Sequence, residues 1–303
     1  MIIRLFIINI FLAFCIDVHA QYRIFKKHST INKKPLNVLP AINKLSFKSE
    51  VKIIIGEYLS ITANGIPDHL VGKFPNRENP HTILPQEYHF EIYFDNSQNI
   101  NPEPLKGINK NYRGPSGRPF GVSLNGVLFD PGTAEYWKGN KELGWNYCAL
   151  GAAIPLGLDE HHAHVQPNGA YHYHGIPTGL LENLGFNSIS HSPLIGWSAD
   201  GYPVYALNGY NKNNPKMVIQ HRSSFRLKNG FRPLPPNGPG GKFDGTFIQD
   251  YEFIKGLGTL DKCNGCFTIT PEFPEGTYAY FLTEEWPIIP RYFKGKAINL
   301  RFQ

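Results

Sequence analysis

Five of the chain's twelve histidines fall between Asp159 and Gly175, in the stretch DEHHAHVQPNGAYHYHG. Imidazole nitrogen is a good ligand for zinc, copper, iron and nickel, so this clustering points to a transition-metal site. His162 and His164 are two residues apart, as are His172 and His174. Residues two apart on a strand share a face. The turn between the pairs decides whether those faces coincide. A two-residue Asn168-Gly169 loop would place them on opposite sides of the hairpin. A three-residue Pro167-Asn168-Gly169 loop pairs Gln166 with Ala170, His164 with His172 and His162 with His174. Pro at the first position, Asn at the second and Gly in a left-handed third fit this longer loop. The four imidazoles then share one face, with opposed Cβ atoms roughly 5 Å apart. Rings so close repel if protonated, so they stay neutral or hold a cation. Two or three would be ligands and the rest would orient them. Asp159, Glu160 and His161 are candidates for a carboxylate ligand or a ring-orienting partner. An incidental polar strand face is the plain alternative for one histidine, but it explains two in-register pairs poorly. Tyr171 and Tyr173 fall on the opposite face, where core packing is expected.

The elements that must position these residues are mostly strands. The chain has 303 residues, enough for one large domain, and is rich in Gly, Pro, Tyr and Phe but sparse in charge. That balance predicts a mainly β fold, a sandwich or barrel-like domain with long loops and little helix. Val51 to Ile61 reads as one strand ending at the turn Asn64-Gly65. YHFEIYF (Tyr88 to Phe94) alternates, with Tyr88, Phe90, Ile92 and Phe94 on one face. Phe120 to Asp130 reads as a hairpin turning on Asn125-Gly126. Further strands are expected over Pro203–Leu207 (followed by another Asn-Gly turn), Thr246–Phe253 and Thr277–Thr283, and helix only near Gly179–Leu184. Arg232 to Lys242 (RPLPPNGPGGK) reads as a Pro/Gly loop.

The first twenty residues look like a secretion signal, with Arg4 ahead of the apolar run Leu5–Cys15 and a small-residue site at Val18-His19-Ala20. The run is too short for a membrane span. A secreted or periplasmic protein is therefore expected, with 1–20 as signal peptide, 21–50 as a basic leader and 51–303 as the folded part. Arg23, Lys26, Lys27, Lys33 and Lys34 concentrate part of the net charge of +6. No nucleic-acid-binding motif accompanies them, so a solvated leader is the reading. Only two methionines are present, which excludes a Met-rich copper-handling surface.

Tyr171-His172-Tyr173-His174 resembles the signature of the YHYH-domain family of secreted bacterial proteins. The likeness extends to NGIPDH (Asn64 to His69), FGVSLNGVLFDPGTAEYW (Phe120 to Trp137), LGLDEHHAHVQPNGAYHYHGIPTGLL (Leu156 to Leu181), IGWSADGYPVY (Ile195 to Tyr205), FDGTFIQDYEF (Phe243 to Phe253), and LDKCNG with TPEFPEGTYAYFLTEEWPIIPR (Leu260 to Arg291). It runs from about Val51 to Gly295 and implies a secreted, β-rich domain without an established reaction. The family pattern carries a cysteine where this chain has Tyr292, as partner of the Cys263 position. The resemblance therefore implies a changed disulfide here, such as Cys148 with Cys263 or Cys266. By residue type alone, Cys263-Asn264-Gly265-Cys266 is a lone CxxC on a turn signal, and neither a four-cysteine zinc site nor a thioredoxin-like motif follows from it.

Other candidates have two readings each. His69 is either a loop ligand folding over the cluster or an exposed histidine. Asp200 is a turn-forming residue or a site carboxylate. Asp250 and Glu252 would share a strand face, as acid/base groups or ligands, or as ordinary polar alternation. The functional expectation is a metal-binding protein holding copper, zinc or iron, whose centre would be hydrolytic if three protein ligands leave a position open. The competing expectation is a glycan- or protein-binding module whose four tryptophans form a platform. A small molecule or glycan is the expected partner besides the metal; no GxSxG elbow signals a serine hydrolase.

Overall fold

Short strands separated by Gly, Asn and Pro turns pair into sheets with almost no helix, as the composition implies. The structure is a computed structural model and describes residues 36–94, 103–105 and 118–301. The signal-like residues 1–20 and the basic run Arg23 to Lys34 lie outside those residues, whereas 36–50 of the expected leader are described, with Leu39 bridged to Asp159 and Asn43 to Val71. Strands β1 (Val51–Ile55), β2 (Tyr58–Ala63) and β3 (Tyr88–Tyr93) form an antiparallel three-stranded sheet. The expected single strand over Val51–Ile61 is thus a hairpin, bent at Gly56-Glu57 with Ile55 opposite Leu59. An isolated glycine inside an apolar run was the signal for that break. In β3 the alternation holds, with Phe90 and Ile92 buried and Glu91 and Tyr93 exposed.

After β4 (Glu103–Pro104) come β5 (Gly121–Ser123), β6 (Leu128–Phe129), β7 (Ala163–Val165), β8 (Tyr171–Tyr173), helix α1 (Thr178–Asn183), β9 (Gly196–Ser198) and β10 (Pro203–Ala206). Next are β11 (Asn208–Asn211), β12 (Asn214–Gln220), β13 (Phe225–Leu227), β14 (Tyr251–Phe253), β15 (Gly265–Thr268), β16 (Thr277–Leu282) and β17 (Tyr292–Phe293). The main sheet runs β15-β16-β10-β9-β5-β6-β8-β7, and its ends do not meet, so the barrel alternative is not formed. Its short central strands are buried on both faces, which explains why they lack polar alternation.

Three local expectations need correction. The β5–β6 loop is Leu124-Asn125-Gly126, three residues long, with Ser123 N–H bonding Val127 O and Gly126 at φ +79. Asn208-Gly209 is inside β11 rather than a turn; a Cβ on Gly209 would sit 2.6 Å from Phe281. Thr246–Phe253 contains a 3-10 turn (Ile248–Asp250) before β14. The β5–β6 and β7–β8 hairpins lie side by side, because β6 and β8 pair in parallel with Leu128 opposite His172. That pairing delivers the end of β6 to the histidine hairpin.

Candidate metal centre

The turn that was to bring the histidines together forms as its residues require. Gly169 has φ +88 and donates its N–H to Gln166 O (2.9 Å), while Gln166 N–H bonds Ala170 O (2.9 Å). In the resulting register His164 faces His172. His174 N–H also bonds His162 O (2.8 Å), so the backbone pairing of that second couple is present. The rings nevertheless part company. His162 closes a turn with Asp159 and takes a left-handed φ of +56, which rotates its ring off the shared face. Its Nδ1 donates to Ile176 O (2.9 Å) instead.

His164, His172 and His174 converge. Nε2 of His174 lies 3.0 Å from Nε2 of His172 and 3.0 Å from Nε2 of His164. One ligand atom from each falls within 4.8 Å of the others. Nδ1 of His164 faces the Leu156 carbonyl (2.8 Å), and Nδ1 of His172 faces the Ala170 carbonyl (3.2 Å). A carbonyl only accepts, so in the neutral rings the proton sits on Nδ1 and the Nε2 lone pair points into the cluster. Nδ1 of His174 is buried without a well-formed hydrogen bond, with the Pro131 carbonyl beside the ring. Burial pushes the His164 ring down to about 3, with the His172 charge adding to it. Burial likewise holds His172 below the usual imidazole range, and holds His174 well below it together with the charges of His172 and His164. The three rings open onto a cleft of about 400 Å³ lined also by Asp130, Glu135 and Arg301.

Asp130 is a neighbour the sequence reading missed. It directly follows β6, its N–H bonds Tyr173 O (2.9 Å), and its Oδ2 accepts from Gln166 Nε2 (3.1 Å) and pairs with Arg301. Only the parallel β6–β8 pairing, a long-range event, reveals it.

The reverse face of the hairpin carries a second polar network. Tyr171 O–H donates to Asp159 Oδ2 (2.7 Å). Asp159 is fully buried and also accepts from the N–H groups of Gly72 (3.0 Å), His161 (3.0 Å) and Ala163 (3.3 Å). Burial raises its carboxyl despite these donors. Tyr173 O–H donates to His69 Nε2 (2.6 Å) and accepts from Asn125 Nδ2 (3.0 Å). His69 Nδ1 donates to Leu70 O (2.7 Å). The His69 ring sits edge-on to His161, 4.2 Å between centroids. His161 donates from Nε2 to Leu70 O (2.9 Å) and receives Gly179 N–H (3.0 Å) and Thr178 O–H (2.6 Å) at Nδ1. Burial lowers both rings to about 4, helped in His69 by the His161 charge. A Cβ on Gly179 would lie 2.6 Å from His69, so glycine is needed where α1 meets this pair. His69, His161, His162 and Glu160 border a larger cavity of about 930 Å³ on this side. His69 thus lies away from the three-ring cluster.

The remaining candidates are dispersed. Asp200 is buried in the turn Ser198–Gly201 and accepts from Tyr280 O–H (2.6 Å), Lys294 N–H (3.0 Å) and Gly295 N–H (2.8 Å). Asp250 is fully buried against Arg232 (2.5 Å), whereas Glu252 is partly exposed and pairs with Arg226 (3.0 Å). Cys148, Cys263 and Cys266 are free, so the expected disulfide is not formed. Cys148 packs in a small cluster with Phe225, Ile248 and Trp286, while Cys263 belongs to the main core. Tyr292 packs against that same core, where burial and then the Cys263 thiol raise its hydroxyl.

The family model described as YHYH protein matches residues 99–295, roughly two thirds of the chain. The chain belongs to the YHYH family. No curated protein and no solved structure matches it. The YHYH tetrapeptide is β8 with the residue after it, and its alternation divides the letters: both histidines enter the three-ring cluster and both tyrosines enter the reverse network.

Proposed function

We propose that this YHYH protein is an exported metal-binding protein that holds one transition-metal ion between Nε2 of His164, His172 and His174. The observation that carries this reading is the tautomer lock. Leu156 O and Ala170 O fix the protons of His164 and His172 on Nδ1, so their lone pairs point at the same atom, Nε2 of His174. One Nε2–H on His174 can satisfy one of them, not both. A shared cation satisfies all three. Ligands about 2.0–2.1 Å from a common ion, at angles between octahedral and tetrahedral, stand roughly 2.9–3.4 Å apart. The 3.0 Å separations fit that range. Three neutral imidazoles suit zinc, copper or iron, and carbonyls on the outer nitrogens are the usual orienting partners. The ligand set leaves room on the side of the 400 Å³ cleft. Export rests on the signal-like residues 1–20, and no helix among the described residues is long and apolar enough to cross a membrane.

The test is elemental analysis of protein purified without a His-tag. About one transition-metal ion per chain is expected, released as the pH falls through the imidazole range because protons compete for the ligands. Metal well below stoichiometry after reloading would overturn the reading.

The competing binding-module reading loses its tryptophan platform, because Trp145, Trp197 and Trp286 are buried. It keeps the 930 Å³ cavity, a size typical of small-molecule pockets. A glycan or small molecule that binds equally well after chelation would favour it.

A further inference from the structure

Behind the cluster, a second set of groups is left without partners, and it has the opposite electrical character. Arg291 is 3 % exposed, and its guanidinium makes no hydrogen bond or ion pair among the described residues; Nε is fully buried. Its Cζ lies 5.9 Å from the centre of the Trp286 ring. Trp286 is 5 % exposed, and its Nε1–H has no acceptor of good geometry. The Cys148 sulfur beside it is a weak acceptor. Tyr251 stacks on Trp286 at 4.4 Å, and its buried hydroxyl is also unpartnered. The groups whose charges act on the guanidinium are the Cys148 thiol and, after it, Asp130, and Asp130 is already engaged by Arg301 and Gln166.

Buried donors without acceptors are rare, and a buried charge without a counter-charge costs more than any neutral group. A water molecule would satisfy the indole and phenol but leave the arginine uncompensated. An oxyanion meets both needs, since guanidinium pairs with planar or tetrahedral oxyanions in charge-assisted hydrogen bonds. We propose that Arg291, Trp286 and Tyr251 form a binding site for a small oxyanion, of the carboxylate or phosphate class. The site is close enough to the histidine cluster for the Arg291 charge to act on His174. An anion there offsets that charge, and so favours a cation at the histidine cluster.

The experiment is thermal unfolding of the full chain, metal-free, after exhaustive dialysis into buffer containing only a bulky organic sulfonate. Phosphate, sulfate, formate and acetate are then titrated at constant ionic strength. A saturable rise in Tm is expected for at least one of them, absent in Arg291→Met and weakened in Trp286→Phe. Arg291→Met is expected to fold at least as stably as the dialysed wild type, because a buried unpaired charge is replaced by an apolar chain of similar length. If that variant fails to fold, ion chromatography of anions released from denatured wild-type protein gives the second measurement. About one oxyanion per chain, or its uptake on titration, supports the site. Equal Tm shifts in wild type and Arg291→Met, or no bound oxyanion under saturating phosphate and acetate, would overturn it. Neither result depends on metal occupancy at the histidines.

Discussion

The two faces of the β7–β8 hairpin are built from the same few residues and reach opposite ends of hydrogen-bond accounting. On one face, His172 and His174 meet His164 with lone pairs converging at 3.0 Å. On the other, Tyr171, Tyr173, His69 and His161 each have a donor–acceptor match, and Asp159 collects four donors. A network in which every proton has a destination is structural. A cluster in which two lone pairs compete for a single proton is arranged as a ligand set would be. Histidine count therefore says little by itself; what separates the faces is whether the second nitrogen of each ring finds a partner.

Acid should break the comparison most severely. His69 and His161 titrate near 4 and His164 near 3 in the folded protein, against about 6.5 unfolded. Between those values the unfolded chain binds protons the fold rejects, so stability is fully present above about pH 6.5 and declines down to about pH 3, the His69 and His161 shares being lost by about pH 4. Urea midpoints of metal-free protein at pH 7, 5.5 and 4 should fall at each step, and a flat profile would contradict the neutral, buried rings. Bound metal should delay the fall, since protons must then displace the ion.

Next in size is Asp159→Ala, which strands four donors beneath the hairpin. At about 1–3 kcal/mol per unsatisfied buried group, a loss of at least about 3 kcal/mol in chemical denaturation is expected. A loss under about 1 kcal/mol would mean the reverse face is not held by this carboxylate. Gly169→Ala should cost roughly 1–2 kcal/mol, because φ is +88 and the new Cβ would meet Leu84 at 2.6 Å. It should also weaken metal binding by loosening the His164–His172 register. Tyr173→Phe is the most conservative change, about 1–2 kcal/mol for the two hydrogen bonds its phenol makes to His69 and Asn125. It should leave metal content unchanged, and a coupled loss of metal would show that the faces are not separable.

Much of this hairpin was legible in the sequence. Pro167-Asn168-Gly169 specified the loop length, and loop length set the register that opposes His164 to His172. His162 escaped that logic because its left-handed backbone belongs to the Asp159 turn, and period-two reasoning assumes an extended chain up to its last residue. The partners of the tyrosines were beyond reach for another reason. His69 lies 104 residues from Tyr173, and the Asp130 position depends on two hairpins pairing in parallel. Asp250 shows the same limit, since its Arg232 sits in a stretch that reads only as a Pro/Gly loop. The mainly β architecture followed from composition, but Gly56 and Gly209 show that a glycine in an apolar run marks a bend in one place and a close approach in another.

The most direct test of the three-histidine claim compares metal content in His174→Ala and His162→Ala, purified and reloaded identically with zinc and with copper. Both residues belong to H-x-H pairs and differ mainly in where their rings point. The account predicts that His174→Ala loses stoichiometric metal while His162→Ala retains about one ion per chain. Retention by His174→Ala, or equal loss from both, would contradict it.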